Sequence, residues 1–170
     1  MSANQKDKMA GEFMSKKLLT IGMEAPLTEA YSLMQTRKIR HLPVVSPNGD
    51  VIGILSDRDL QRAMSPQYDK DSPREMAFRF DPAFVAKDFM SWPIHKVHVD
   101  TLLLTVAKRM LLEKISAFLV ESEAGRIEGI ITTDDMLRVL IQLLEKDPGR
   151  VGMSLKGAWS EFTLPAGNWA

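Results

Sequence analysis

The chain of 170 residues contains no cysteine and no surplus of either charge. Without thiols it can form neither disulfides nor thiolate metal sites, and it has no cysteine nucleophile; such a composition fits a reducing cytosol. Its 22 basic and 22 acidic residues give a formal net charge of zero. No overall field therefore draws the molecule toward nucleic acid or an anionic membrane, and any anion-binding site must be local.

Long apolar runs are absent from the sequence as well. No stretch approaches the roughly 18 residues that a membrane span needs, and the N-terminal sequence MSANQKDKMAGEF is too polar for a signal peptide. We therefore expect a cytoplasmic protein without a membrane partner. The hydrophobic content of 45% is nevertheless ordinary for a packed globular fold.

What the sequence does contain is an internal repeat. The peptide GILSDRDL, Gly53–Leu60, returns 76 residues later as GIITTDDM, Gly129–Met136. At this offset residues 14–60 match residues 90–136 without a gap, with twelve identical positions. The identical pairs include Met14/Met90, Ser15/Ser91, Lys38/Lys114, Ile39/Ile115, Gly53/Gly129 and Asp59/Asp135.

Each copy begins with a short β-type segment and a helix. The β-type segments are Leu18–Met23 and Ile94–Val99. Apolar residues then follow at helical spacing. They are Leu27, Ala30, Tyr31 and Met34 in the first copy and Leu103, Val106, Ala107 and Met110 in the second.

Each copy continues with two strands and a second helix. His41–Val45 and Ala117–Glu121 read as apolar strands, each followed by a glycine-containing turn and a further strand, which predicts a hairpin. Helical spacing resumes after Asp59 and Asp135. One β-α-β-β-α copy of about 50 residues buries too little apolar surface to be stable by itself. We therefore expect an α/β (α+β) fold of two pseudo-symmetric repeats packed as one module.

The repeats divide the chain into five parts. The linker is longer than a usual loop, so we expect it to include some helix or an excursion from the fold. The tail that contains Trp159 and Trp169 either is mobile or packs on a partner. The parts are the N-terminal tail 1–13, repeat 14–64, linker 65–89, repeat 90–146 and C-terminal tail 147–170.

The repeated pattern resembles that of the cystathionine β-synthase (CBS) domain. Its features are Met-Ser, a β-type segment, an acid and a helix, then Ile-x-x-Leu-Pro-Val-Val, a turn with glycine, and Gly-apolar-apolar-Ser/Thr-x-x-Asp. Two tandem copies resemble the CBS pair, or Bateman module. The resemblance is weaker in the second copy, where Phe118–Glu121 replaces Leu42–Val45.

The resemblance implies a regulatory sensor that binds AMP, ADP, ATP or S-adenosylmethionine and transmits a conformational change. It assigns ribose binding to Asp59 and Asp135 and places Ser56 and Thr132 near the phosphates. A carboxylate can accept charge-assisted bonds from two hydroxyls, and the first turn of a helix offers free N–H groups to a phosphate. The same tetrapeptides also suit a helix cap. Both roles therefore stay open.

The resemblance further implies two unlike clefts, each combining residues of both copies. One joins Thr132 and Asp135 to Leu18, Thr20, Ile21, Ile39, Arg40, His41 and Arg58. The other joins Ser56 and Asp59 to Ile94, Val97, Ile115 and Ser116, with Asp134 in the place of Arg58. Because arginines surround the first cleft, we expect a nucleotide phosphate there, although a solvated surface position is the commoner fate of an arginine.

Catalytic and metal chemistry have no sequence support. No phosphate loop, nucleophile elbow or metalloprotease helix is present, so we expect neither an enzyme nor a catalytic cofactor. His95 and His98 would fall on opposite faces of a strand, which disfavours a shared metal.

The expected partners are an adenosine ligand, a second copy of the chain and a regulated protein that the sequence does not name. A self-complementary dimer is the commonest soluble assembly, and its surface would include Leu111, Leu112, Leu140, Leu143 and Leu144. Two alternatives remain. The first alternative is a structural dimerisation module with vestigial clefts, and the second is the regulatory piece of a larger enzyme or transporter.

Overall fold

The computed structural model describes residues 8–68 and 76–146. The described residues divide into two compact units, of which one lies within Lys16–Lys96 and the other comprises 8–15 and 97–146. Each unit contains one β-α-β-β-α series, which confirms the predicted fold class. Among the described residues no helix is both long and apolar enough to cross a bilayer.

The helices and strands follow one another in the order that the repeat predicts, with a short helix before each copy. They are α1 Ala10–Phe13, β1 Ile21–Gly22, α2 Leu27–Arg37, β2 His41–Val45, β3 Val51–Ser56, α3 Asp57–Ala63, β4 Ser65–Tyr68, β5 Met76–Arg79, α4 Ala86–Phe89, β6 Lys96–His98, α5 Leu103–Glu113, β7 Ala117–Glu121, β8 Ile127–Thr132 and α6 Thr133–Lys146.

In the Lys16–Lys96 unit a three-stranded sheet packs against α2 and α3. The strand order is β1-β2-β3, with β1 parallel and β3 antiparallel to β2. Helix α2 buries Leu27, Ala30 and Met34, whose spacing of three and four residues places them on one face. They join a core that also contains Leu42, Val44, Leu55 and Leu60.

The second unit repeats this arrangement. Its sheet has the order β6-β7-β8, and β7 pairs antiparallel with β8. Both hairpins carry an irregularity at matched positions, between Val44 and Val45 and between Val120 and Glu121. The core contains Val106, Met110, Phe118, Val120 and Ile131. Helix α6 has 14 residues, whereas its counterpart α3 has seven.

The first helix of each copy ends at a lysine in the left-handed conformation. Lys38 has φ 53° and Lys114 has φ 58°. The next residue, Ile39 or Ile115, donates its N–H to the carbonyl of Met34 or Met110 at 3.1 and 3.2 Å. This closure satisfies carbonyl groups that a helix end leaves without partners and directs the chain into β2 or β7.

The repeated Met-Ser dipeptides cover the outer strand of each hairpin. Ser91 and Ile54 exchange two backbone hydrogen bonds of 2.8 and 3.2 Å, and Ser15 and Ile130 exchange two of 2.8 and 3.1 Å. Ser15 thus lies in the unit of the second repeat, although it precedes the first repeat in the chain. The edges of β3 and β8, which would otherwise present unpaired N–H and C=O groups, are thereby paired.

The repeated glycines of these strands make room for the methionines. A Cβ atom at Gly129 would lie 2.6 Å from Met14 Sδ and 2.8 Å from the backbone oxygen of Ser15. At Gly53 the nearest atoms would belong to the Met90 side chain. A side chain at Gly129 would displace the backbone of the covering segment, whereas one at Gly53 would displace the Met90 side chain.

The segments around the repeats hold more regular structure than the sequence predicts. The linker contains the expected helix, α4, but also an antiparallel pair, β4 and β5. In the N-terminal tail, α1 lies in the second unit with Ala10 fully buried. The C-terminal tail, 147–170, lies outside the described residues.

Candidate functional site

The start of α3 is organised around Asp59, which is 3% exposed. Its Oδ2 atom accepts hydrogen bonds from the backbone N–H of Ser56 at 2.8 Å and from the Ser56 hydroxyl at 2.5 Å. The Ser56 Oγ in turn accepts the Asp59 N–H at 3.3 Å, which completes a capping box. The helix cap that the sequence allows is therefore present.

The start of α6 repeats the bonds to the carboxylate around Asp135, a residue that is 7% exposed. Its Oδ2 accepts the backbone N–H and the hydroxyl of Thr132, both at 2.8 Å. The two aspartates therefore occupy equivalent environments, each at the first turn of a helix that follows the end of a buried strand.

An arginine one helical turn later binds the second oxygen of each carboxylate. Arg62 pairs with Asp59 Oδ1, and Arg138 Nη1 lies 2.9 Å from Asp135 Oδ1. The sequence interpretation missed both arginines. They are identical at the offset of 76 residues but lie two positions beyond the matched window, 14–60. Extending the window to the end of α3 would have found them.

Each carboxylate retains room for a further donor. A carboxylate has about four lone-pair positions, and three protein donors are observed at Asp59 and three at Asp135. The arginine side chains are 75% and 71% exposed. An exposed arginine can leave the carboxylate at small energetic cost, since exposed ion pairs contribute about 0.2–1 kcal/mol.

The residues before β2 and β7 adjoin the helix start of their own unit. The Asp57 N–H donates to the Arg40 carbonyl and the Thr133 N–H to the Ser116 carbonyl, both at 3.0 Å. His41 pairs directly with Ser56 in the hairpin. Within the Lys16–Lys96 unit the structure thus brings Ile39, Arg40 and His41 close to Ser56 and Asp59.

The remaining predicted residues are distributed between the two units. Ile21 and Val97 are almost fully buried, at 3% and 4% exposure, and pack in the two cores. Leu18 and Ile94 are half-buried and Thr20 is exposed. In the second unit Ile115 and Ser116, also half-buried, precede β7 beside Thr132.

The two helix starts differ in charge. Around α3 and the residue before β2 lie three arginines, Arg40, Arg58 and Arg62, and two acids, Asp57 and Asp59. The matched region of the second unit has one arginine, Arg138, and two acids, Asp134 and Asp135. The first region therefore has a surplus of positive charge and the second a surplus of negative charge.

An open depression of about 400 Å³ lies between α2 and α3. Its floor is apolar, with Met34 and Leu60 almost fully buried. Its remaining lining is mostly polar or charged and includes Gln35, Lys38, Arg40, Asp57 and Gln61.

Comparison with known families identifies the repeat. The family model of the CBS domain matches residues 10–66 and 86–142. The chain belongs to the CBS domain family. The first CBS domain contains Asp59 and the second contains Asp135, so both carboxylates lie in the matched regions.

Curated relatives include proteins of similar and of greater length. A CBS domain-containing protein of Dictyostelium discoideum is 28% identical over 81% of this chain and 94% of its own length. A homoserine O-acetyltransferase of Methanococcoides burtonii is also 28% identical, over 76% of this chain, but the match spans just 23% of that enzyme. In the enzyme, therefore, the CBS region is a fragment of a longer chain.

Solved structures confirm the CBS-pair fold. A putative acetoin utilization protein (AcuB) from Vibrio cholerae is 27% identical, with a TM-score of 0.64, over 81% of this chain and 93% of its own. The cytosolic domain of the Mg²⁺ channel MgtE in complex with ATP is 25% identical, with a TM-score of 0.58. That match covers 79% of this chain and 49% of the MgtE structure.

Proposed function

We propose that the protein is a regulatory CBS-pair module whose clefts bind an adenosine-containing ligand: AMP, ADP, ATP or S-adenosylmethionine. The observation that supports this proposal is the pair of buried carboxylates at the starts of α3 and α6. In each carboxylate, one oxygen accepts hydrogen bonds from the Ser or Thr at the helix start. The other oxygen is paired with an exposed arginine, which a ligand hydroxyl can replace. The related MgtE domain, which binds ATP, supports the same ligand class.

Ribose recognition and helix capping are compatible at these aspartates. The cap uses Oδ2 of Asp59 and of Asp135. A vicinal diol has two hydroxyl donors, of which one can take the fourth lone-pair position and the other can displace the arginine from Oδ1. The first turn of each helix also has backbone N–H groups that suit a phosphate.

The ligand-binding residues that we propose are those expected from the family resemblance. They are Thr132, Asp135, Leu18, Thr20, Ile21, Ile39, Arg40, His41, Arg58, Ser56, Asp59, Ile94, Val97, Ile115 and Ser116. To these the geometry adds Arg62 and Arg138, which compete with the ligand for the carboxylates. The proposed module has no catalytic role, acts as a homodimer and works in the cytoplasm on a regulated protein.

Calorimetric titration tests the proposal directly. The titrants are AMP, ADP, ATP, S-adenosylmethionine and adenosine, added to the wild-type chain and to the double variant Asp59→Ala/Asp135→Ala. We expect at least one compound to bind the wild type and to lose 10–150-fold in affinity in the variant, the equivalent of about 1.5–3 kcal/mol. At a hundred times its dissociation constant that compound should also stabilise the wild type by about 2.7 kcal/mol.

A second function, structural dimerisation with vestigial clefts, is favoured by a different observation. Both carboxylates already have three donors from their own helix starts, as an aspartate that serves as a cap requires. If none of the five compounds binds at millimolar concentration while the chain stays dimeric, the ligand proposal is wrong and this second function replaces it.

A further inference from the structure

The depression between α2 and α3 lies on a different side of α3 from the buried carboxylate. The residues that line it from α3 and its C-terminal end have the i, i+3, i+4, i+7 spacing of one helix face. They are Asp57, Leu60, Gln61 and Met64. At about 100° of rotation per residue, Asp59 lies on nearly the opposite side of the helix. The depression is therefore separate from the carboxylate proposed to bind ribose.

The two cations of the lining are attached to backbone that hydrogen bonds hold in place. Lys38 ends α2 in the left-handed conformation, and its N–H donates to the carbonyls of Gln35 and Met34. The Arg40 carbonyl accepts the Asp57 N–H at 3.0 Å, which connects this residue to the start of α3. An anion that binds both cations would therefore order side chains but not backbone, which lowers the entropic cost of binding.

An aromatic side chain borders the same depression. Tyr31 lines it from α2, and its ring lies edge-on to that of Phe80 with the centroids 5.8 Å apart. Phe80 is 9% exposed and belongs to the core of this unit, whereas Tyr31 is 41% exposed. The linker residue thus positions the tyrosine at the rim and leaves part of its surface open to a ligand.

The matched positions of the second unit lack this combination of side chains. At the offset of 76 residues Tyr31, Gln35, Arg40, Asp57 and Gln61 correspond to Ala107, Leu111, Ser116, Thr133 and Leu137. Of the charged lining residues, just Lys38 is kept, as Lys114. An apolar floor with a few polar groups around it, in a volume of about 400 Å³, is typical of a small-molecule site. The first unit has these features at the positions where the second has lost them.

We propose that this depression is a further binding site, for a small organic anion with an apolar body and one carboxylate or phosphate group. The apolar body lies on Met34 and Leu60, which are almost fully buried, beside Tyr31. The anion is bound by the two cations. Because Lys38 and Arg40 are opposed by one acid, Asp57, the lining has a net charge of +1, which suits a monoanion.

The site goes beyond the proposed adenosine clefts. It shares Ile39 and Arg40 with the residues proposed for adenosine, and its other lining residues are outside that set. Lys38 is therefore the cation that reports on this site alone. Its counterpart Lys114 ends α5 in the same left-handed conformation, so the two lysines form a matched pair for substitution.

Nuclear magnetic resonance titration of the isotope-labelled full chain tests the proposal. The probes are benzoate and phenyl phosphate, which differ in the anion, benzamide, which has no charge, and inorganic phosphate, which has no ring. We expect both ring anions to bind in the millimolar range, to shift amide signals of α2 and α3, and to bind more tightly than benzamide or inorganic phosphate. The tighter of the two identifies the anion that the site prefers.

The lysine pair gives the decisive comparison. Lys38→Gln should raise the dissociation constant of benzoate roughly three- to fivefold, within the range of an exposed charge pair, and leave that of benzamide unchanged. Lys114→Gln, which makes the same change at the other helix end, should alter neither. Tyr31→Ala gives the first unit the residue that the second carries, and should weaken benzoate and benzamide by the same factor.

Four results would overturn the proposal. Absence of binding by both ring anions would refute the site, and shifts confined to α5 and α6 would show adventitious contact with their exposed leucines. Equal affinities for benzoate and benzamide, unchanged in Lys38→Gln, would show that the cations take no part. Loss of benzoate binding in the folded Asp59→Ala/Asp135→Ala variant would place the probe at the carboxylates.

Parallel titration with adenosine and AMP separates this proposal from the proposed function. Failure of both nucleosides to bind, with benzoate bound as expected, would refute the adenosine clefts and support the site between α2 and α3. Binding of adenosine without benzoate would refute this site alone.

Discussion

Arg138 and Asp135 form an ion pair of 2.9 Å, in which the arginine side chain is 71% exposed and the aspartate side chain 9%. The matched pair, Arg62 and Asp59, has side-chain exposures of 75% and 3%. In both pairs the acid is fixed by its cap while the base reaches it from solvent. The arginine is therefore the partner that can leave, and the carboxylate is the group that stays in place for the proposed ligand.

Removing the arginine should favour a ligand that uses the same oxygen. We expect Arg138→Ala to raise the affinity for adenosine up to about fivefold and to change the free energy of unfolding by less than about 1 kcal/mol, the range of exposed ion pairs. Calorimetry and urea unfolding measure the two effects. Arg126→Ala, an exposed arginine of the hairpin turn, serves as control. A loss of adenosine affinity in Arg138→Ala would mean that this arginine contacts the ligand.

Removing the carboxylate should affect stability and affinity together. Asp135→Ala removes the acceptor of the Thr132 N–H and hydroxyl at the start of α6, which should lower the free energy of unfolding by roughly 0.5–2 kcal/mol. Because the ribose loses a charged acceptor, affinity per folded molecule should fall by about 1.5–3 kcal/mol. Measuring both quantities on one variant separates the roles. Unchanged affinity with lowered stability would leave Asp135 as a cap alone.

The charge difference between the two domains should decide where a phosphate binds. From the pairing of half-sites that the family resemblance implies, we expect Arg58 to bind the phosphate of the ligand held by Thr132 and Asp135. Arg58→Glu should then weaken AMP about 10–150-fold and reduce the salt dependence of AMP binding, while adenosine, which lacks a phosphate, is unaffected. Calorimetry at two salt concentrations measures all three effects.

The matched variant Asp134→Arg provides the converse test. It places a cation where the second domain has an acid, so AMP should occupy an additional cleft and the stoichiometry should rise from one to two per chain. Equal losses for adenosine and AMP in Arg58→Glu would contradict this assignment of the phosphate. AMP binding that survives Asp135→Ala but not Asp59→Ala would reverse the pairing of the half-sites.

The two repeated glycines should tolerate substitution unequally. A methyl group at Gly129 meets the backbone oxygen of Ser15 at 2.8 Å, whereas at Gly53 it meets the flexible side chain of Met90. We expect Gly129→Ala to lower the free energy of unfolding by about 1–3 kcal/mol, the range for overpacking, and Gly53→Ala to lower it less. Urea denaturation of both variants gives the comparison. An equal decrease in the free energy of unfolding in both variants would show that the Ser15 backbone moves as easily as the Met90 side chain.

The sequence predicted those parts of the fold whose signals are local or repeated. The strands His41–Val45 and Ala117–Glu121 are confirmed with their predicted bounds, because continuous apolar runs ending at turns define them. The first strands are shorter than the β-type segments suggest. In the first copy β1 comprises just Ile21 and Gly22, which pair with Val44 and Val45 of β2.

Features that depend on distant pairing could not be predicted. Nothing local indicates that Ser15 bonds Ile130, because the two are separated by more than a hundred residues; their identity with Ser91 and Ile54 shows a repeat but not its partner. Likewise helix capping was one of two open interpretations of Ser56 and Thr132. Ser56 accepts the Asp59 N–H, and at the other helix start the Asp135 carboxylate accepts the N–H and the hydroxyl of Thr132. Leu111, Leu112, Leu140, Leu143 and Leu144 are exposed in this chain, and the dimer surface expected of them stays a prediction.

The pairing of Ser15 with Ile130 also sets an order of events during synthesis. Residues 10–15 leave the ribosome before the Lys16–Lys96 unit, yet the strand that Ser15 pairs with, β8, is made after that unit. At about 5–20 residues per second, Ile130 follows Ser15 by roughly 6–23 s. During that interval the Lys16–Lys96 unit can fold with its own covering segment, Met90–Ser91. The partner strand of the Met14–Ser15 segment has not yet been made. The Lys16–Lys96 unit can therefore fold before Met14 and Ser15 reach their final positions, which they take once β8 of the second domain has formed.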